Sequence, residues 1–255
     1  MSLLIVSGLG KSFGGNRAVD GIDFALRSGE LLALIGPNGA GKSTTFNMVN
    51  GQLRADQGSI RLDGRELVGM APRRIWRLGV GRTFQIAQTF SSLTVVENVQ
   101  MAMLSHDRQL YSFWHRAADH RRDDALELLE QVGMRSQADR PCSVLAYGDV
   151  KRVELAIAMA NSPKLLLMDE PTAGMAPKER NELMALTKRL VTERGIGVLF
   201  TEHSMDVVFA YADRIIVLAR GTLIAEGTPE EIRDHPKVQA VYFGTGKTFE
   251  KEVGA

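Results

Sequence analysis

Residues 30–44 read ELLALIGPNGAGKST, an apolar run that passes directly into a glycine-rich loop and then into lysine, serine and threonine. No other stretch restricts the fold as tightly. The loop fits the pattern G-x-x-x-x-G-K-[ST], in which Gly36, Gly39 and Gly41 let backbone N–H groups turn inward around phosphate oxygens. Lys42 adds a point charge for the outer phosphates, and the Ser43 hydroxyl can ligate Mg²⁺. Pro37, Asn38, Ala40 and Thr44 complete the candidate phosphate-binding set. The bare pattern arises by chance in about 1% of chains this long. Context makes it specific, because a buried strand must enter such a loop and a helix must leave it. A glycine-rich surface turn needs neither the lysine nor the two hydroxyls.

Around that loop the chain alternates. LLIV (3–6) reads as a strand, and Asp20-Gly21 and Asp63-Gly64 each divide strand-like segments as tight hairpins do. Residues 44–50 read as helix with Gly51 as its cap, and 86–160 favour helices throughout. LLLM (165–168) and GVLF (197–200) flank an amphipathic helix from Lys178 to Arg194, closed by Gly195, which implies crossover units and a parallel sheet. RIIVLARGTLIAEG predicts a hairpin turning at Arg220-Gly221. Thr228-Pro229-Glu230-Glu231 then predicts a capped helix start. The tail from Gly244 is polar.

The expected fold is α/β: a P-loop NTPase with a mixed, largely parallel sheet core, an N-terminal antiparallel β part and a helical sub-lobe. It forms a single domain over 1–255, with a catalytic core at about 1–85 and 161–243, the sub-lobe at about 86–160 and a polar tail at 244–255. With 44% hydrophobic and 24% charged residues, 255 residues can bury a substantial core. A net charge of +1 gives no electrostatic pointer to nucleic acid, although a local basic groove is compatible with it. Cys142, the sole cysteine, excludes an intrachain disulfide and a cysteine-based zinc site and fits a reducing compartment. No signal peptide is read at the N-terminus, and no apolar run reaches the roughly 18 residues that span a bilayer. A membrane role therefore needs a partner.

LLLMDEP (165–171) supplies a second acidic site. In P-loop proteins a carboxylate ending a neighbouring buried strand holds Mg²⁺, a role that Asp169 fits. Glu170 would then face the γ-phosphate, where a carboxylate can take a proton from attacking water. Without the loop, both residues would read as caps of the following turn. A kinase would also need an acceptor site, and none is identifiable.

Phe13, the phosphate loop, Gln85 in GRTFQ, LAYGD (145–149), LLLMDEP and His203 in LFTEH follow one another in an order that resembles the ATP-binding subunits of ABC transporters over almost the whole chain. The resemblance implies ATP and Mg²⁺ as cofactors. It implies that Phe13 stacks on adenine, that Gln85 contacts Mg²⁺ and the attacking water, and that His203 bonds the γ-phosphate and positions water beside Glu170. A lone aromatic or histidine would otherwise read as core, and a lone glutamine as a solvated loop amide. His115 and His120, near Asp119 and Asp123, read as a solvated helix face. LAYGD takes the place of the family signature, so Leu145, Ala146, Tyr147, Gly148 and Asp149 would cap the ATP held by another subunit, with a helix starting near Gly148 aimed at the γ-phosphate.

Where the common signature reads LSGGQ, this chain has Ala146, Tyr147 and Asp149; Ala176 stands where many relatives place an aspartate that communicates between sites. A lost serine contact to phosphate could forfeit roughly 1.5–3 kcal/mol per site. The retained Lys42, Ser43, Gln85, Asp169, Glu170 and His203 favour an active ATPase over a nucleotide-clamping scaffold. LAYG, PTAGMAP, RTFQ with TFSSLTVVENV, and GTPEEIRDHPKVQAVYFG resemble the ATPases of branched-chain amino acid importers, with amide and urea importers as a related alternative. The implied partners are transmembrane permease subunits, a second ATP-binding subunit in a head-to-tail dimer and, indirectly, a solute-binding protein. The implied location is the cytoplasmic face of the cell membrane. The permease surface is expected near Gln85 and IAQTFSSLTVVENV. A soluble ABC ATPase working on DNA or ribosomes would usually show a coiled-coil insertion, tandem cassettes or a basic patch.

Overall fold

The computed structural model describes residues 2–83, 89–107 and 121–243. Two sheets organise them. The first is antiparallel, in the order β2 (Asn16–Arg27), β1 (Ser2–Phe13), β4 (Gln57–Leu62) and β5 (Arg65–Glu66). The second runs β10 (Thr222–Gly227), β9 (Arg214–Ala219), β3 (Leu31–Ile35), β8 (Gly197–Thr201), β7 (Leu165–Asp169) and β6 (Val80–Thr83). All its pairings are parallel except the β9–β10 hairpin.

The central strands are apolar along most of their length because both faces of the second sheet are covered. Along β3, Leu31, Ala33 and Ile35 join one apolar cluster while Leu32 and Leu34 join the other. The first cluster is built with helices α3 (Val95–His106), α4 (Arg122–Gln131), α5 (Tyr147–Met159), α6 (Pro177–Arg194), α7 (Met205–Tyr211) and α8 (Pro229–Arg233). The second holds the antiparallel sheet, α1 (Lys42–Val49) and part of α2 (Pro72–Arg77). Fully burying one of these aliphatic side chains contributes about 1.5–3 kcal/mol, so the double cover stabilises the central strands. A final helix, α9 (Pro236–Phe243), follows α8.

Most expected turns are where the sequence puts them. Asp63 and Gly64 both have positive φ in the β4–β5 hairpin, Arg220 and Gly221 do so between β9 and β10, and Gly195 closes α6 in the left-handed conformation. Thr228 and Glu231 exchange the two hydrogen bonds of a capping box. Asp20-Gly21 is different, because β2 runs through it without a turn. The hairpin between β1 and β2 is made by Gly14-Gly15, with φ of 52° and 86°. Gly21 instead sits in a bulge: from Leu9↔Ile22 to Lys11↔Val19, β1 advances two residues and β2 three. The bulge directs the Asp20 N–H to the Gly221 carbonyl at 2.8 Å, tying β2 to the β9–β10 turn. α2 and β6 were not anticipated. Gln85, His115, Asp119, His120 and the tail from 244 lie outside the described residues.

Candidate functional site

The C-terminal ends of β3, β7 and β8 meet at one edge of the parallel sheet, where ligands of such sheets bind. The glycine loop leaves β3 there and enters α1. Gly36 has φ 154°, and a Cβ at that position would lie 2.3 Å from the Leu218 carbonyl oxygen. Gly41, at φ 104°, is held as closely by the Ala18 carbonyl, which a Cβ would meet at 2.5 Å. The loop is thus pinned between β9 and the bulged part of β2. Gly221 N–H also donates to the Ala40 carbonyl at 3.1 Å.

Lys42 folds back over this loop. Its Nζ donates to the carbonyls of Gly36 at 2.7 Å and Pro37 at 3.1 Å, and the side chain is buried. Burial pushes its ammonium below the ordinary lysine range, opposed by the carboxylates of Glu170 and Asp169. Gly41 caps α1 with no side chain over the helix end, so the first-turn N–H groups of α1 are left open to a ligand. Together these features make a basic, amide-lined cradle that fits phosphate.

A cleft of about 570 Å³ opens over the cradle, lined by Asn38 to Thr44 with Phe13, Arg17, Arg220, Glu170 and His203. Phe13 is 51% exposed at the end of β1, with the Lys11 ammonium 5.6 Å from its ring centroid, so it is a surface aromatic and not a core residue. Ser43 is exposed at the start of α1. Among the described residues no cluster of three or more His, Cys, Asp or Glu could hold a metal. Any Mg²⁺ beside Ser43 and Asp169 would take its remaining ligands from phosphate and water, as that ion commonly does.

The acidic pair ends β7. Asp169 Oδ1 accepts a hydrogen bond from Thr201 Oγ1 at 2.8 Å, and its Oδ2 lies 3.6 Å from Arg82 Nη2. Glu170 follows in the left-handed region at φ 48°, a conformation that costs a non-glycine residue on the order of 1–3 kcal/mol. Its N–H is held by the carbonyl and the hydroxyl of Thr201, at 3.2 and 3.1 Å. This turn swings the Glu170 carboxylate to His203, with Oε1 2.8 Å from Nε2. His203 N–H is fixed in turn by Glu202, a buried carboxylate that also accepts from Thr172 N–H at 2.9 Å and Thr172 Oγ1 at 2.6 Å. Thr172, Thr201, Glu202 and Arg82 were missed by sequence reasoning. A signal existed for two of them, since Thr201 and Glu202 directly precede the singled-out histidine. The half-buried Tyr242 of α9, hydrogen-bonded to the Gly36 backbone, was missed as well.

LAYGD is elsewhere. None of its residues lines the cleft that holds Lys42. Ala146 is the N-cap of α5 at φ −64°, ψ 153°, with no side-chain cap, and the helix starts at Tyr147. Ala146 and Tyr147 are exposed, Leu145 and Asp149 half-buried and Gly148 buried.

Comparison with known proteins gives the family. Residues 19–173 match the ABC transporter family, and residues 222–248 match a segment described as branched-chain amino acid ATP-binding cassette transporter. The chain is 40% identical, over 95% of its length and 98% of the relative's, to the high-affinity branched-chain amino acid transport ATP-binding protein BraF of Pseudomonas aeruginosa. The Escherichia coli protein LivG, of the same description, is 41% identical over the same shares. This chain belongs to the ABC transporter ATP-binding family. Among solved cassettes of that family, a nucleotide-free one superposes with a TM-score of 0.86 at 32% identity, covering 96% of this chain and all of that one. A cassette in its ADP conformation gives 0.87 at 31%, with shares of 96% and 99%. A dimeric post-hydrolysis cassette with ADP and phosphate gives 0.75 at 26%, with shares of 89% and 98%.

Proposed function

We propose that this ABC cassette is the ATP-hydrolysing subunit that powers an importer of branched-chain amino acids. The observation that carries hydrolysis is the Glu170–His203 contact of 2.8 Å at the mouth of the phosphate cradle. Glu170 takes the proton of the attacking water, and His203 orients that water and the γ-phosphate. Lys42 exchanges the Gly36 and Pro37 carbonyls for phosphate oxygens, while Phe13 stacks on the adenine. Ser43 and Asp169, with Gln85 by resemblance, would hold Mg²⁺, which would supply positive charge against the phosphate oxygens.

The signature does not line its own cleft, which supports completion of the site by another subunit. Two nucleotides would close a head-to-tail dimer, hydrolysis would reopen it, and permease subunits would follow that motion. The permease surface we assign is an apolar cleft of about 560 Å³ beside α2 and α3, lined by Ile75, Trp76, Val80, Phe90, Met101 and Ile157. Phe90 is 58% exposed there. The helical stretch around α3 to α5 would act as the moving sub-lobe. Among the described residues no helix is long and apolar enough to cross a membrane, so permease contact is the proposed route to the cytoplasmic face.

The substrate class rests on the match at 222–248 and on the relatives' descriptions. Deleting the gene should abolish high-affinity uptake of radiolabelled leucine, isoleucine and valine. The wild-type chain should restore it, and Lys42→Ala should not. Normal leucine uptake in the deletion, with lost urea or amide uptake, would transfer the assignment to those importers.

A further inference from the structure

Tyr147 occupies the position where the common signature has a glycine, and its side chain turns back onto its own chain. The Tyr147 hydroxyl donates to the Ala173 carbonyl at 3.2 Å. Its ring edge packs beside Gly174, where an added Cβ would lie 3.7 Å from Cε1, and the Lys151 ammonium sits 5.8 Å from the ring centroid. Ala173 belongs to the turn that follows the acidic pair, and its N–H donates to the Glu170 carbonyl at 3.1 Å. The next residue of α5 is approached by the first turn of α6. A Cβ on Gly148 would come within 3.2 Å of Glu179 Oε1, and Glu179 Oε2 accepts the Ala176 N–H at 3.2 Å. A continuous path of hydrogen bonds therefore joins the backbone of Glu170 to the first residue of the signature helix within one subunit.

We propose that Tyr147 is a positioning residue that couples the nucleotide state of its own cradle to the signature it presents to the other subunit. This rests on the reading that the signature completes a site in trans. In that setting the two ends of the path serve different ATP molecules. Glu170 and His203 face the subunit's own γ-phosphate, and the N-terminus of α5 faces the neighbour's. When the turn from Glu170 to Ala173 shifts after hydrolysis, the Tyr147 hydroxyl carries the shift to α5. Ala176 cannot supply a side-chain bond between the sites. Tyr147 supplies a different one, from the signature side of the same loop.

The test uses the assembly copurified from membranes through this chain, with wild type, Tyr147→Phe and Gly148→Asp compared. ATPase rate is measured against MgATP concentration, and trinitrophenyl-ATP titration reads nucleotide affinity and confirms folding. Tyr147→Phe keeps the ring and its packing. We expect unchanged nucleotide affinity, a kcat lower by about fivefold, as for loss of one neutral hydrogen bond, and a Hill coefficient that falls from above 1 in wild type to about 1. Gly148→Asp should abolish turnover. If Tyr147→Phe keeps the wild-type Hill coefficient, whatever its kcat, or if wild type itself shows no cooperativity, the coupling proposal is overturned while the signature reading stands. If Gly148→Asp turns over normally, the in-trans reading fails and the proposal fails with it.

Discussion

Glu170 shows how much the fold spends on a single side chain. A left-handed glutamate persists because Thr201 holds its N–H by two acceptors, and the same threonine donates to Asp169. The acidic pair and His203 were legible because type and position coincide: carboxylates and an imidazole directly after apolar strands that must be parallel. Thr172 was not, since its meaning lies in a contact with Glu202 across thirty residues. The signature alanine is sharpened by its place as the N-cap of α5. A serine at 146 could accept from the Asp149 N–H, and such caps contribute about 0.5–2 kcal/mol. Ala146→Ser should therefore raise Tm by roughly 2–4 °C, measured by calorimetry without nucleotide. An unchanged or lower Tm contradicts the capping geometry. If ATP affinity of the dimer also rises, the missing hydroxyl matters to phosphate; if it does not, the helix terminus suffices.

Element boundaries follow local chemistry where caps are strong. Thr94 and Glu97 start α3 with reciprocal bonds: Thr94 N–H donates to Glu97 Oε2 at 2.8 Å and Glu97 N–H to Thr94 Oγ1 at 3.3 Å. The Thr94 backbone bond, followed by its hydroxyl, holds the Glu97 carboxyl below its usual 4.5. A depressed carboxyl contributes stability fully above the unfolded value, and that contribution is lost as pH falls through the folded value. Thermal unfolding of wild type should therefore lose more stability than Glu97→Gln on acidification below 4.5. Parallel acid limbs in the two proteins would contradict this. Local chemistry misled at Asp20-Gly21, where a good turn dipeptide forms a bulge because long-range pairing to β1 continues past it. It was silent at β6, four residues whose strand state comes from pairing with β7.

At the scale of the molecule, the sheet gathers three strand ends into a cradle that, on the proposed reading, one subunit loads with nucleotide and another closes. The alternating crossovers made the parallel core legible from sequence. The spatial separation of LAYGD from its own cleft needed the fold. That separation underlies the proposed hydrolytic site shared between subunits. The most direct measurement is Glu170→Gln with MgATP, followed by sedimentation and steady-state turnover. The expected result is an ATP-stabilised dimer, formed with itself or with its partner ATPase, and turnover lower by about 10²-fold or more. Wild-type turnover in that variant, or a monomer at saturating ATP in the presence of the partner, would contradict it.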